Sequence, residues 1–220
     1  MPIGLRGIRM HLKSATRIAL LTLAGFSIAG CLESKNPVAP RSMAVADPRL
    51  EGSWASLSED ISYELRIRSK GNGSLEMRLL DTSIFFGAPR SEARKEQVYD
   101  AYVVTIGEHH IVNFRRIADA DEENPTTASP SGNWVFAEYG FVDNPYRSAA
   151  DLWVRFFDWR LFSDAVTSGR LRGEVKKSDH DTEVLLTDDS WQIAMFIANV
   201  MPESSQRIGG MFRRLPNAHW

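Results

Sequence analysis

From Leu50 onward the apolar residues recur at every second position, and that spacing constrains the fold more than any other feature of the chain. Ile61, Tyr63, Leu65 and Ile67 alternate with Ser62, Glu64, Arg66 and Arg68, the pattern of a strand with one dry and one wet face. Lys70-Gly71-Asn72-Gly73 is a turn signal, and Leu75, Met77 and Leu79 then alternate with Glu76 and Arg78, so the two runs read as a hairpin. Tyr102, Val104 and Ile106 form a further strand, Gly107 to His110 its turn, and Ile111 to Ile117 the return. Trp134 to Phe141 and Leu152 to Phe157 are aromatic-rich strands. Leu171 to Lys177 and Thr182 to Leu186 flank a Ser-Asp-His-Asp turn as a third hairpin, and Ile208 to Leu215 is the last strand.

Two helices interrupt this series. Trp159, Phe162 and Val166 share one face of a segment from Asp158 to Gly169, a good stop residue. The second helix starts at Thr187 or Asp188, either of which can cap it, and runs to Pro202. Its apolar residues fall on nearly every face, with Gln192 and Asn199 the main exceptions, which predicts burial in a core; the alternative is a membrane-surface helix, although the segment lacks the basic face such helices normally show. The acidic, turn-rich stretch 118–132 is expected as an exposed loop. The expected fold class is therefore mainly β, an antiparallel barrel or sandwich of about eight to ten strands with two or three short helices.

The first thirty residues have a different character. Arg6, Arg9, Lys13 and Arg17 precede an apolar run, Ile18 to Ala29, with no acid among them. The run is about a dozen residues, short of the roughly 20 a membrane-spanning helix needs, and it fits the apolar region of a secretory signal peptide. Met10 is an alternative start that would give a signal of conventional length. Ile28-Ala29-Gly30-Cys31 resembles the lipobox of bacterial lipoproteins. The resemblance implies cleavage between Gly30 and Cys31, lipidation of the Cys31 thiol, and attachment to a membrane through that lipid. Leu32, where an Asp would retain such a protein in the inner membrane, implies the outer membrane, with the domain facing the periplasm. Residues 31–49, with Pro37, Pro40 and Pro48 and no apolar periodicity, read as a flexible tether on the order of 20 Å long. The expected organisation is a cleaved signal over 1–30, a tether over 31–49 and a β domain over 50–220.

Leu50-Glu51-Gly52-Ser53-Trp54 opens the domain with a Gly-x-Trp, and Phe212-Arg213-Arg214-Leu215 ends its last strand. Together these resemble the lipocalin or calycin arrangement. The resemblance implies a barrel in which Trp54, beside Gly52, closes one end and a basic residue, Arg213 or Arg214, packs over its ring.

The search for chemistry is mostly negative. A single Cys rules out an intramolecular disulfide and a Cys-based metal cluster. No nucleophile elbow and no zinc-protease helix motif occurs. His109 and His110 are adjacent, and neighbours in a strand point to opposite faces, so they do not suit a shared metal. Asp119, Asp121, Glu122 and Glu123 lack the glycine and terminal glutamate of a calcium loop. No cofactor, no metal and no catalytic residue is expected. Without the signal, 22 basic residues face 28 acidic ones, a poor footprint for a nucleic-acid binder. What remains is aromatic: Trp134, Phe136, Tyr139, Phe141, Trp153, Phe156, Phe157, Trp159 and Phe162 crowd the middle of the domain. They suit either a filled core or a cavity for an apolar ligand. The expected function is a non-enzymatic module that binds or carries a small hydrophobic molecule. The alternative is an assembly or accessory factor that docks onto another cell-envelope protein.

Overall fold

A computed structural model describes residues 32–57, 63–81, 96–119, 132–145, 149–178, 182–200 and 209–216. Cys31 and Gly30, the start of the first predicted strand at Ile61, the acidic segment 120–131, His180 and His219 lie outside the described residues. The chain is mainly β, built on a closed barrel of eight antiparallel strands. Seven of them follow one another in sequence: β2 (Gly52–Ser56), β3 (Tyr63–Gly71), β4 (Ser74–Asp81), β5 (Glu96–Ile106), β6 (His109–Asp119), β7 (Val135–Val142) and β8 (Asp151–Phe156). The eighth, β11 (Gly209–Arg214), fits between β8 and β2 and closes the ring. The period-two pattern explains the closure: every strand offers an apolar row to the inside, and a closed ring leaves no edge.

The turns follow the local sequence. Asn72 and Gly73 both have positive φ (52° and 72°), as a two-residue hairpin turn requires. The outer wall is charged. On β3 to β6, Glu76 takes Arg78 at 2.9 Å and Arg68 at 3.6 Å, Arg78 also reaches Glu96 at 3.2 Å, and Asp100 pairs with Arg41 and, at 3.7 Å, with Arg115. Apolar residues inside and ion pairs outside is the inverse of a membrane-spanning barrel. Among the described residues no helix is long and apolar enough to cross a membrane.

Between β8 and β11 the chain leaves the ring to form α1 (Trp159–Thr167), β9 (Gly173–Lys177), β10 (Thr182–Leu186) and α2 (Ser190–Val200). The β9–β10 hairpin was expected among the barrel strands. It instead forms a separate three-stranded sheet with β1 (Leu32–Ser34), which pairs with β10 in parallel. α1 stops before Gly169 (φ 74°) as its sequence predicts, and at its start the Asp158 side chain caps it by accepting from Arg160 N. α2 is capped by neither expected residue. Asp189 Oδ1 accepts from Gln192 N at 3.0 Å, while Asp188 is turned to Arg172 Nε at 2.6 Å.

The flexible tether over 31–49 is corrected by the structure from Leu32 onward. Leu32, Ser34, Val38 and Ala39 are buried. Ser34 exchanges backbone hydrogen bonds with Trp134 (2.8 and 2.7 Å), Val38 N donates to the Asn113 side chain at 2.8 Å, and Tyr102 OH donates to Ala39 O at 2.6 Å. β4 begins opposite Tyr102, so the β5 edge beyond is open, and Val45 N covers it by donating to Val103 O at 2.9 Å. The prolines that suggest a linker suit a segment laid across a wall, because its partners are side chains and single bridges rather than a continuous ladder.

Two hydrophobic cores result. One fills the barrel. The other lies outside the β5–β6–β7 wall, where Tyr102, Val104, Ile111 and Phe136 meet the N-terminal segment, the small sheet and both helices. β5 is consequently buried on both faces from Ala101 to Val104.

Candidate functional site

The inner row of the barrel surrounds an apolar cavity of about 60 Å³. Its walls come from seven of the eight strands, with Leu65 and Ile67 on β3, Met77 and Leu79 on β4, Phe114 on β6 and Phe156 on β8 among them. Among the described residues two lining side chains, Tyr99 and Tyr139, carry oxygen, and both are already engaged. Tyr99 OH donates to Gln97 Oε1 at 2.6 Å, and Tyr139 OH donates to Asp47 Oδ2 at 3.1 Å. Burial raises the pKa of both phenols, and for Tyr139 the Asp47 carboxylate adds to the effect. Both stay neutral, and among the described lining residues no side-chain donor is free to meet a ligand headgroup in the cavity. The volume holds a few apolar atoms: an engineered cavity that takes benzene is about 150 Å³.

Trp54, the plug that the Gly-x-Trp predicts, is buried among the barrel residues. Trp54 is 1% exposed, and its Nε1 donates to Leu50 O at 2.9 Å across the turn Pro48–Leu50. Its ring lies 6.0 Å from Phe141. The two candidate arginines part company because adjacent strand residues face opposite ways. Arg214 stands over Trp54, with its guanidinium carbon 5.3 Å from the ring centroid, and donates to Glu51 O. Arg213 lies elsewhere, 4.0 Å from Asp151. Gly52 makes room for this arrangement. Its φ of 131° is open only to glycine, and a Cβ there would stand 3.2 Å from the Arg214 guanidinium.

Asp47 and Arg49 lock the plug from outside. Arg49 Nε and Nη2 reach the two Asp47 oxygens at 2.9 and 2.8 Å, and the guanidinium covers the Phe141 ring at 4.5 Å. Burial pushes the Asp47 carboxyl up, but the hydrogen bonds from Arg49 and Tyr139 outweigh it and hold its pKa below 3.8. Sequence reasoning missed this pair because the segment read as linker. The signal was present in Asp47-Pro48-Arg49, an acid placed to cap a turn that starts with proline.

The aromatic group divides by strand parity. Tyr139 and Phe156 line the cavity, and Phe141 sits at the plug. Trp134, Phe136, Phe157 and Phe162 belong to the outer core. Trp153 lies on the outer wall over Gly140, whose missing Cβ would come within 2.5 Å of the indole, and Arg155 covers its ring at 4.4 Å. His109 and His110 start β6 rather than occupying the turn. His109 Nδ1 donates to Glu138 Oε1 at 2.7 Å, while His110 stacks on Tyr139. Among the described residues no group of three or more His, Cys, Asp or Glu is placed to hold a metal ion.

Comparison with protein-family models, with characterised proteins and with solved structures finds no match to this chain. The functional reading therefore rests on the site itself.

Proposed function

We propose that this protein is a lipid-anchored module of the cell envelope whose barrel takes up a slender apolar group, such as the end of an alkyl or acyl chain. The cavity carries the reading: an apolar space inside the ring, lined by flexible side chains such as Met77, with both of its phenols already bonded. Such a wall rewards hydrocarbon and penalises any buried polar atom that finds no partner. A ligand larger than the space must shift side chains, which Met tolerates best. The anchor is supported by the Ile28-Ala29-Gly30-Cys31 sequence after an apolar run. Acylation at Cys31 with two or more chains would hold the protein stably, and Leu32 in place of Asp supports the outer membrane and a periplasm-facing domain. Leu32 also has a packing role, since it is buried in the outer core.

Native mass spectrometry of the protein purified from its own membranes tests the cavity. A retained apolar mass is expected in the wild type and should be lost in Val154→Phe, which puts a ring into the space that Val154 lines. No retained mass, together with no uptake of a hydrophobic fluorescent probe, sinks the reading. A second reading, docking onto another envelope protein, rests on Leu57 and Met211. Both are exposed side by side on β11 and the end of β2, with Leu57 N bonded to Met211 O at 2.8 Å, away from the wall the outer core covers.

A further inference from the structure

α2 was expected to be buried all round, and it is not. Ile193 and Ile197 face the outer core, and Val200 is buried on the same side of the helix. Trp191, Met195 and Ala198 lie on the opposite side of the helix, and Trp191 is 66% exposed and Met195 44%. Ser190–Val200 contains no charged residue, so an apolar stripe with a tryptophan at one end faces out of the protein. The helix has no basic face of its own, but the neighbouring chain supplies one. Arg170, exposed and with no carboxylate partner among the described residues, places its guanidinium 5.6 Å from the Phe196 ring. Arg172, whose side chain is 74% exposed, stands at the helix start against Asp188.

The chain before the described residues ends at Cys31, bonded to Leu32, and Leu32 is buried in the same cluster as Ile193 and Ile197. There is no slack between the proposed lipid and the folded body, because Leu32–Ser34 is already a strand paired to β10. A bilayer that holds acyl chains at Cys31 therefore meets the sub-body formed by β1, β9, β10 and the helices. We infer that the outer face of α2, Trp191, Met195 and Ala198, seats in the interface of the membrane that carries the anchor, with Arg170 reaching lipid phosphates. The inference rests on the proposed acylation of Cys31. Tryptophan prefers the headgroup level, and an apolar helix face flanked by arginine sits about 5–10 Å into the headgroup and acyl boundary. Two acids precede the helix: Asp188 is paired with Arg172 at 2.6 Å and Asp189 caps Gln192 N, so Arg170 is the cation left to the lipid. The arrangement fixes the orientation of the barrel as well as its location, which a single lipid on a loose linker would not do.

The test uses the full-length lipidated protein in vesicles of phosphatidylcholine and phosphatidylglycerol, with and without brominated acyl chains. Met195→Cys and, as control, Met211→Cys each carry a polarity-sensitive thiol dye. Met211 is a comparably exposed methionine on the barrel strands away from the outer core. The dye at residue 195 should shift to the blue and lose most of its emission to brominated lipid, and the dye at 211 should do neither. Arg170→Glu should weaken the quenching at 195. Mass analysis of the same sample reports the acyl chains. Acylated protein with an aqueous dye at 195 overturns the helix inference and leaves the anchor standing. Unacylated protein that still buries residue 195 overturns the anchor and keeps the helix face. Burial of 211 instead, or burial of 195 only when another envelope protein is present, overturns the inference.

Discussion

Trp54→Ala is the most demanding test of how the barrel is held shut. The side chain is 1% exposed and packs between Leu50, Phe141 and Arg214. Truncating a buried tryptophan to alanine costs about 3–5 kcal/mol, part transfer and part residual cavity. The Leu50 carbonyl also loses the indole N–H, which adds about 1 kcal/mol. For a chain of this size each kcal/mol moves Tm by about 2–4 °C, so the total corresponds to a fall of about 8–24 °C. Arg214→Ala should cost less, about 1–2 kcal/mol for the cation–π contact and one hydrogen bond, because the guanidinium is largely in water. Trp153→Ala is the control. That indole lies over Gly140 on the outer wall and blocks no barrel end. Urea unfolding followed by far-UV circular dichroism gives the free energies. If Trp54→Ala is near neutral, or no worse than Trp153→Ala, then Trp54 does not close the barrel and the argument from the Gly-x-Trp fails.

Two further expectations concern the N-terminal segment. Asn113 is fully buried, and its Oδ1 takes Val38 N while its Nδ2 has no partner. Asn113→Ala leaves that backbone N–H unpaired at about 1–3 kcal/mol, and should expose the 32–45 segment to limited proteolysis before the barrel itself; unchanged proteolysis would show that the segment is held by its apolar contacts alone. The Asp47 carboxyl has a lowered pKa in the fold. Its contribution is therefore present in full above its unfolded value and disappears as pH falls below 3.8 through the lowered folded value. Asp47→Asn should remove part of the acid-side loss of stability, and identical acid profiles for the two proteins would refute the linkage.

How far the sequence reached depends on whether a residue's partner was near or far. Period-two rows such as Tyr63-Leu65-Ile67 and Leu75-Met77-Leu79 declare their own geometry, since a strand needs only a sidedness to be recognised. The contact of Trp54 with a basic residue of the last strand was readable for a similar reason. Gly52, Trp54 and the basic end of the last strand are a local signature, although the choice between Arg213 and Arg214 required the register of β11 against β2. The N-terminal segment failed because it has no periodicity of its own. Val38 is buried by Asn113, Ala39 by Tyr102 and Ser34 by Trp134, partners 63 to about 100 residues away, and nothing local announces a segment whose order is supplied by someone else's wall. α2 failed in the opposite way. Its all-round apolarity was legible, but apolarity describes what a face avoids and not what covers it.

The two cores share β5, β6 and β7, and this sharing ties the proposed anchor to the proposed cavity. Tyr102 and Val104 face the outer core while Ala101 and Val103, their immediate neighbours, face the barrel interior. A load applied at Leu32 reaches the ring through Ser34 on Trp134, Val38 on Asn113 and Val45 on Val103, and reaches the plug through Asp47 on Tyr139. Tyr139 lines the cavity at the same time. The strap that follows the proposed anchor thus ends on a wall of the cavity, with about fifteen residues, Leu32 to Asp47, laid along the barrel between them. A protein built to wave a carrier domain on a linker has no need of such a path. One that holds a barrel at a fixed height and angle over a lipid surface does, because the proposed cavity then stays at a constant distance from the bilayer that would supply the hydrocarbon.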